Sequence, residues 1–301
     1  NQGGALFNTN SGVITLMNVD MIGNSAESGG ALVNTSVNSD MRLTNVAIGG
    51  NSATTTAIIA NLSSAALTLT QVTFGGNNAG PGALFVNASS TLTMRNSVVW
   101  GNSGALADIS GGTVTATYSV VEGGYVGLKN LSVDPQFVTP PDPADAPTTS
   151  VNLRLRPGSP ALNNGNNNPL NQTLPATDRD GVARIVGGTV DRGAYERQAA
   201  GVRYVDFDAS GSGSGYSWAD AMTDLQEALA FAGGGDELWV AEGIYRPTDG
   251  GDRTISFSLK NGVAVYGGFA GNETARVQRN PATRTTTLSG NIGNSNSSAD
   301  N

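Results

Sequence analysis

Cysteine and histidine are both absent from this 301-residue chain. Without cysteine there is no disulfide framework, no thiolate zinc site and no thiol nucleophile. Without histidine the commonest general base and metal ligand is missing, and Ser-His-Asp chemistry is excluded. Charge is scarce, at 13% of residues, and lysine occurs only at Lys129 and Lys260. A net charge of -8 and a pI near 4.5 argue against the clustered cations that a nucleic-acid groove or an anionic membrane requires. No apolar run is long enough to span a bilayer. No signal peptide is visible, and the opening "NQGGALF" falls inside a repeat. A segment of a longer protein, or a processed product, is therefore expected.

What the chain has is glycine, 41 residues of it, with abundant Asn, Ser and Thr. Such a mixture suits turn-rich β structure. The segments "ITLMNVDMIGN", "MRLTNVAIGGN", "LTLTQVTFGGN", "LTMRNSVVWGN" and "VTATYSVVEGG" align as a repeat. Its steps are 27, 26, 25 and 22 residues, from Asn18 through Asn45, Gln71 and Asn96 to Tyr118. Ile14, Met41, Leu67, Leu92 and Val114 share one column, and Leu16, Leu43, Leu69, Met94 and Ala116 share another two places on. Thr15, Arg42, Thr68, Thr93 and Thr115 lie between them, which is the period of two of a strand. A second strand recurs at Ala5-Leu6, Ala31-Leu32, Ala57-Ile58, Ala83-Leu84 and Ala105-Leu106. A third apolar column holds Met21, Ile48, Phe74, Val99 and Val121. Gly-Asn corners follow at Gly23, Gly50, Gly76 and Gly101, where left-handed backbone is tolerated.

Several short strands in each repeat and no helix predict an all-β fold, a right-handed parallel β-helix whose coils stack ~4.8 Å apart. A β-sandwich is the alternative, although sandwich strands rarely show same-letter columns. Asn18, Asn45, Gln71 and Asn96 are expected to form an inward amide ladder, each bonding the coils above and below.

The repeat fades after Glu122. "DPQFVTPPDPADAP" is too rich in proline for central strands, and residues 126–198 read as an irregular closing region over the last coils of 1–125. From 199 the character changes again. Ser217 as N-cap, Asp220 three residues on and the stop at Gly233–Gly235 predict one amphipathic capping helix over about 217–232. Its apolar face would carry Trp218, Ala221, Met222, Leu225, Ala228 and Leu229. "DELWVAEGIY", "ISFSLKNGVAVYGGF" and "TTTLSGNIG" then read as the first coils of a following stack, completing a unit over 199–301.

"GGAL" at Gly3 and Gly29 and "FGGN" at Phe74 resemble the repeats of right-handed parallel β-helix proteins, including the GGAI and FxxN repeats of polymorphic outer-membrane proteins. "DPQF", "LRLRPGSPALNNG", "TDRDG" and "VDRGAYE" resemble the closing region of bacterial surface β-helix proteins of the choice-of-anchor Q type. "YVDFDASGSGSGYSWADAMTDLQEAL", "DELWVAEGIYRPT" and "LKNGVAVYGGFAGNET" resemble the opening region of the same group. This chain carries the closing region first. The resemblance implies a pectate-lyase-like fold and a place outside the cell or on its surface.

Pectate-lyase-like folds include polysaccharide lyases and hydrolases, whose sites gather carboxylates with calcium or a basic residue. Here the outward charges fall singly. Asp20 shares its column with Ala47, Thr73 and Val98, and Arg95 with Met17, Thr44 and Thr70. Asp108 is aligned with Asn8, Asn34, Ala60 and Val86. No pair of carboxylates faces across a cleft as glycosidase chemistry requires. Asp206, Asp208 and Ser210 open like a calcium loop, but Ser217 stands where its twelfth-position glutamate belongs; a local turn is the competing reading. Sequons such as Asn61-Leu62-Ser63 leave glycosylation open.

The expected function is a non-enzymatic, extracellular structural module of a filament, sheath or adhesive fibre. No cofactor is expected beyond that calcium candidate. Copies would associate head to tail through Asn1, Gln2, Ala5, Leu6 and Phe7 on one side and Leu288 and Ile292 on the other. Surface glycans are a further possible partner, and a carbohydrate-binding or carbohydrate-cleaving β-helix is the alternative function.

Overall fold

The fold is seen in a computed structural model that describes residues 2–108, 112–139, 142–169 and 173–292, with side chains described for all of these except 105–108. The chain forms two compact units, Asn1–Gln198 and Ala199–Asn301. The fold is a parallel β-solenoid with one α-helix among the described residues.

In unit 1 the first coil comprises β1 (Leu6–Asn8), β2 (Val13–Met17), β3 (Asp20–Ile22) and β4 (Ser25–Ala26). The second comprises β5 (Leu32–Thr35), β6 (Asp40–Gly49) and β7 (Ser52–Ala53), and the third β8 (Ala57–Leu62) and β9 (Ala66–Gly75). The fourth holds β10 (Asn78–Ala88), β11 (Thr91–Arg95) and β12 (Val98–Val99), and the fifth β13 (Ser103–Asp108), β14 (Thr113–Thr117) and β15 (Val120–Val121). Every strand pairs in parallel with its counterpart one coil away.

The pairing sets Ile14 beside Met41, Leu67, Leu92 and Val114, and Met21 beside Ile48, Phe74, Val99 and Val121. These columns form the interior, where Phe74 and Phe85 meet edge to face at 5.0 Å. One column differs from the sequence reading. Leu32 faces Ile59 rather than Ile58, so Asn34 pairs with Asn61 and Asp108 with Val86 and Ala60. The third coil holds one more residue before its strand, and a one-residue slip exchanges the two faces.

The closing region starts on the last coil, where Tyr118 N–H donates to the Leu128 carbonyl at 2.8 Å and Leu131 bridges to Val120, but it is not confined there. It runs along the flank of the stack back to the first coil. Thr148 N–H donates to the carbonyl of Gly50 at 2.9 Å. Gly50 has φ +58°, and a Cβ there would lie 2.1 Å from the Thr148 carbonyl oxygen, so close approach and backbone sign both demand glycine. Arg179 Nε donates to Asp20 at 2.7 Å, across 159 residues of chain. Between these contacts Val98, Val120, Phe137, Leu153, Leu155 and Ala161 form a second small core outside the coil. A bare outer sheet face is thereby converted into an interior.

In unit 2, β16 (Val202–Val205), β17 (Glu237–Ala241) and β19 (Ala264–Phe269) form one parallel sheet, and β18 (Gly243–Tyr245) pairs with β20 (Thr286–Leu288). The helix α1 covers Leu225–Phe231 only. Its N-cap is Asp224, whose carboxylate accepts from Glu227 N–H at 2.8 Å. Ser217 and Asp220 do bond reciprocally, at 2.9 and 3.1 Å, but they close a turn. The backbone beyond them is claimed by β16: Met222 N–H donates to Tyr204 at 3.0 Å and Asp206 N–H to Met222 at 2.9 Å. A strand-like bridge at Met222 prevents the helix from starting earlier. Leu225, Ala228, Leu229 and Phe231 are its buried side chains.

Candidate functional site

Asn18, Asn45, Gln71 and Asn96 do not form the expected inward ladder. All four have left-handed backbone, with φ of 57°, 52°, 56° and 47°. That conformation turns each carboxamide out to the flank. Among the four, only Asn45 bonds a neighbouring carboxamide, donating to Asn18 Oδ1 at 3.0 Å. Asn45 also donates to the Thr177 carbonyl at 2.8 Å. The Gln71 amide nitrogen donates to the carbonyls of Asp191, Gly193 and Asn96 at 3.2, 3.1 and 2.9 Å, in the orientation those carbonyls require. Asn96 exchanges two hydrogen bonds with the backbone of Asn166, both 2.8 Å. The column is thus the attachment rail of the closing region.

The amide ladders lie elsewhere. Asn8, Asn34, Asn61 and Asn87 bond in series at 2.8, 2.9 and 2.7 Å. Asn24, Asn51, Asn77 and Asn102 form a second series at 2.9, 2.8 and 2.7 Å. Each ladder also ties down turn backbone, as when Asn61 donates to the Thr91 carbonyl at 2.9 Å.

The sequence reading missed the buried charges of the closing region, although the alternating signs of "TDRDG" and "VDRGAYE" carry the signal. Arg184 is 1% exposed. It donates to Asn45 Oδ1, to the Ala194 and Gly193 carbonyls and to Glu196 Oε2, at 3.3, 2.9, 3.2 and 3.2 Å. Arg154 pairs with Asp180 through two bonds of 2.7 and 2.6 Å and lies over the Tyr195 ring. Burial pushes the Glu196 and Asp191 carboxyls up and the Arg184 guanidinium down.

Burial, then the neighbouring Asp180, push the Asp178 carboxyl from its ordinary 3.8 up to about 6. Between those two values the native state binds more protons at this site than the unfolded chain does. The site's contribution to stability therefore falls as pH rises through that window. A carbon NMR titration of the Asp178 carboxyl is expected to show a midpoint near 6; a midpoint at or below the ordinary value overturns the assignment.

Among the proposed association residues, Asn1 lies outside the described residues. Gln2 bridges to Ser28 and is exposed. Ala5 N–H donates to Ala31 at 2.9 Å. Leu6 is half-buried, and Phe7 is exposed. Leu288 is exposed in β20, whereas Ile292 is already buried. The structure also shows half-exposed Ile14, Leu16 and Val19 at the first coil, packed against the core on one side only. Their second-coil counterparts Met41, Leu43 and Val46 are 0% exposed. In unit 2, Val263, Val265, Leu259, Leu229 and Leu288 surround an open cavity of ≈ 460 Å³.

Asp206 accepts from Asp208 N–H at 3.1 Å, closing a local turn. Ser210 is exposed. Among the described residues, no group of three or more carboxylates is placed to hold a metal ion, and no helix is long and apolar enough to cross a membrane.

A cleft of ≈ 370 Å³ follows the flank of unit 1 between Met17, Asn18, Thr44 and Thr70 on one wall and residues 173–177 on the other. Met17, Thr44, Thr70 and Arg95 stand in register on successive coils. Comparison with known proteins adds no name to this geometry: no family model, curated protein or solved structure matches the chain.

Proposed function

We propose that this chain is a non-enzymatic, extracellular structural module, a stiff β-solenoid that associates with copies of itself head to tail. The observation that carries this reading is a pair of unpaired parallel edges of opposite sense. Among the described residues, β1 and β2 are hydrogen-bonded to the second coil alone. In unit 2, β19 and β20 are likewise bonded on one side. One edge faces the preceding coil and the other the following coil, so each suits the other and neither suits itself. Such heterologous contacts extend into a chain of subunits rather than closing into a dimer. The half-exposed Leu16 and Ile14 supply apolar side chains, and the cavity beside Val265 and Leu288 receives them. The amide ladders support stiffness, since each inner rung is bonded to both neighbours.

Sedimentation velocity on the 301-residue chain tests this reading. The unaltered protein is expected to form linear oligomers that lengthen with concentration. Leu16→Glu and Val265→Glu are each expected to remain monomeric. Mixed together they are expected to stop at heterodimers, because each retains one sound edge. A protein that stays monomeric at every concentration, with both variants unchanged, sinks the assembly reading.

A further inference from the structure

Four corners of unit 1, Met21–Asn24, Ile48–Asn51, Phe74–Asn77 and Val99–Asn102, share one construction: an apolar residue, a spacer, glycine and asparagine. Each glycine is left-handed, with φ of 69°, 58°, 68° and 68° at Gly23, Gly50, Gly76 and Gly101. Each asparagine gives both its N–H and its Nδ2 to the Oδ1 of the next. Asn24 does so to Asn51 at 2.9 and 2.9 Å, Asn51 to Asn77 at 3.0 and 2.8 Å, and Asn77 to Asn102 at 3.1 and 2.7 Å. Nδ2 also reaches back to the coil above, from Asn51 to the Met21 carbonyl at 2.8 Å and from Asn77 to the Ile48 carbonyl at 2.9 Å. The ladder therefore has a direction, and Asn24 is its unfilled end. Among the described residues nothing donates to Asn24 Oδ1. Its Nδ2 falls back on the carbonyl of its own Ile22, at 3.3 Å.

The same spacing recurs in unit 2 at Leu288-Ser289-Gly290-Asn291, which follows β20. Leu288 occupies the place of Met21. It pairs with the buried Tyr245 of the coil above, lines the open cavity and has no strand on its other side. Among the described residues the Asn291 carboxamide makes no hydrogen bond, and its Oδ1 is buried. Gly290 lies outside the left-handed region. A Cβ there would meet nothing within 4 Å, so the corner has room to turn, and glycine turns without steric cost. A rival corner, Phe269–Asn272, is already closed. The Glu273 carboxylate accepts from the N–H groups of Ala270, Gly271 and Asn272 at 2.7, 3.2 and 3.1 Å.

We propose that Asn291 of one copy docks on Asn24 of the next, so that the amide ladder runs across the junction between subunits. This inference rests on the head-to-tail reading above and fixes its register. Asn291 N–H and Nδ2 donate to Asn24 Oδ1, and Asn24 Nδ2 donates to the Leu288 carbonyl, as Asn51 does to Met21. In the free subunit Asn291 N–H donates to Ser289 Oγ at 3.2 Å, a local bond that docking exchanges for the rung. Leu288 then continues the inward column above Met21 and gains apolar cover. The contact needs donors on one side and an acceptor on the other. Two first-coil edges would set acceptor against acceptor, so the corner also selects the direction of assembly.

Sedimentation velocity over a concentration series, on the full chain and its variants, tests the contact. Asn291→Ala is expected to weaken association about tenfold, or about 1.4 kcal/mol. Its urea unfolding midpoint is expected to stay unchanged, because the carboxamide bonds nothing in the free subunit. Asn24→Ala is expected to weaken association by a similar factor, and the double variant no further, since both remove the same contact. Asn291→Ala carries the test by itself if Asn24→Ala loosens the first coil. Gly290→Ala fits the free subunit but opposes the left-handed turn, and is expected to weaken association as well. Asn272→Ala, at the closed corner, is expected to leave association unaltered. Three results overturn the corner contact and leave head-to-tail assembly standing: association unaffected by Asn291→Ala and Gly290→Ala, losses that add in the double variant, or an equal loss in Asn272→Ala. A chain that stays monomeric at every concentration overturns both.

Discussion

Replacing Arg184 by methionine is expected to destabilise unit 1 by about 3–5 kcal/mol, the cost of breaking a buried, hydrogen-bonded charge cluster from one side. Methionine fills much of the same volume but donates nothing. The carbonyls of Ala194 and Gly193 lose donors, and Glu196 loses the cation beside it. Glu196 still accepts from Val186 and Asp191 N–H, at 2.9 and 2.8 Å, so it stays buried without its cation, and its carboxyl, already raised by burial, is pushed up further. The effect is expected to be local before it is global. Hydrogen exchange followed by mass spectrometry is expected to show faster exchange across 176–196, with 237–245 in unit 2 unchanged. Equal exchange in both segments, or a loss under about 1 kcal/mol in urea unfolding, would show that the cluster does not fasten the closing region.

The second large effect is expected at Asn61. Its carboxamide accepts from Asn34 and donates to Asn87 Oδ1 and to the Thr91 carbonyl. Asn34, Asn61 and Asn87 are all at most 1% exposed. Asn61→Ala breaks three bonds at once and leaves their partners without water to replace them. Each orphaned buried group costs ~1–3 kcal/mol, so a loss of about 3 kcal/mol or more is expected in urea unfolding. Thr15→Ala, in the exposed column of β2, is the internal comparison and is expected to change stability by less than about 0.5 kcal/mol. Similar losses in the two variants would mean that the ladder contributes no more than an exposed threonine.

Both predictions concern residues that the sequence alone ranks poorly, for physical reasons that differ. Asn61 was readable in principle. Its series with Asn8, Asn34 and Asn87 appears once the third coil is allowed an extra residue, and the pairing of Ile59 with Leu32 fixes that register. The series Asn18, Asn45, Gln71 and Asn96 was readable as a column and misleading as a ladder. In a strand the pleat dictates which way a side chain points. At a corner the direction depends on the φ of one residue, and left-handed backbone sends these carboxamides outward. Likewise, the column of Met17, Thr44, Thr70 and Arg95 follows from spacing, while the cleft that Met17, Thr44 and Thr70 form with residues 173–177 does not.

The sequence by itself determined the parallel solenoid, the inward columns and the glycine corners. Each depends on residues a few places apart repeated at a regular step, and period-two alternation with positive-φ corners leaves a local mark. Only the tertiary structure decided where the closing region lies, how its charges pair and how long the helix is. Arg184 reaches Asn45 across 139 residues, and Arg179 reaches Asp20 across 159. Contacts so distant impose no periodicity on the chain. They are settled by which outer sheet face still had apolar surface to cover, and by which buried backbone groups still needed partners.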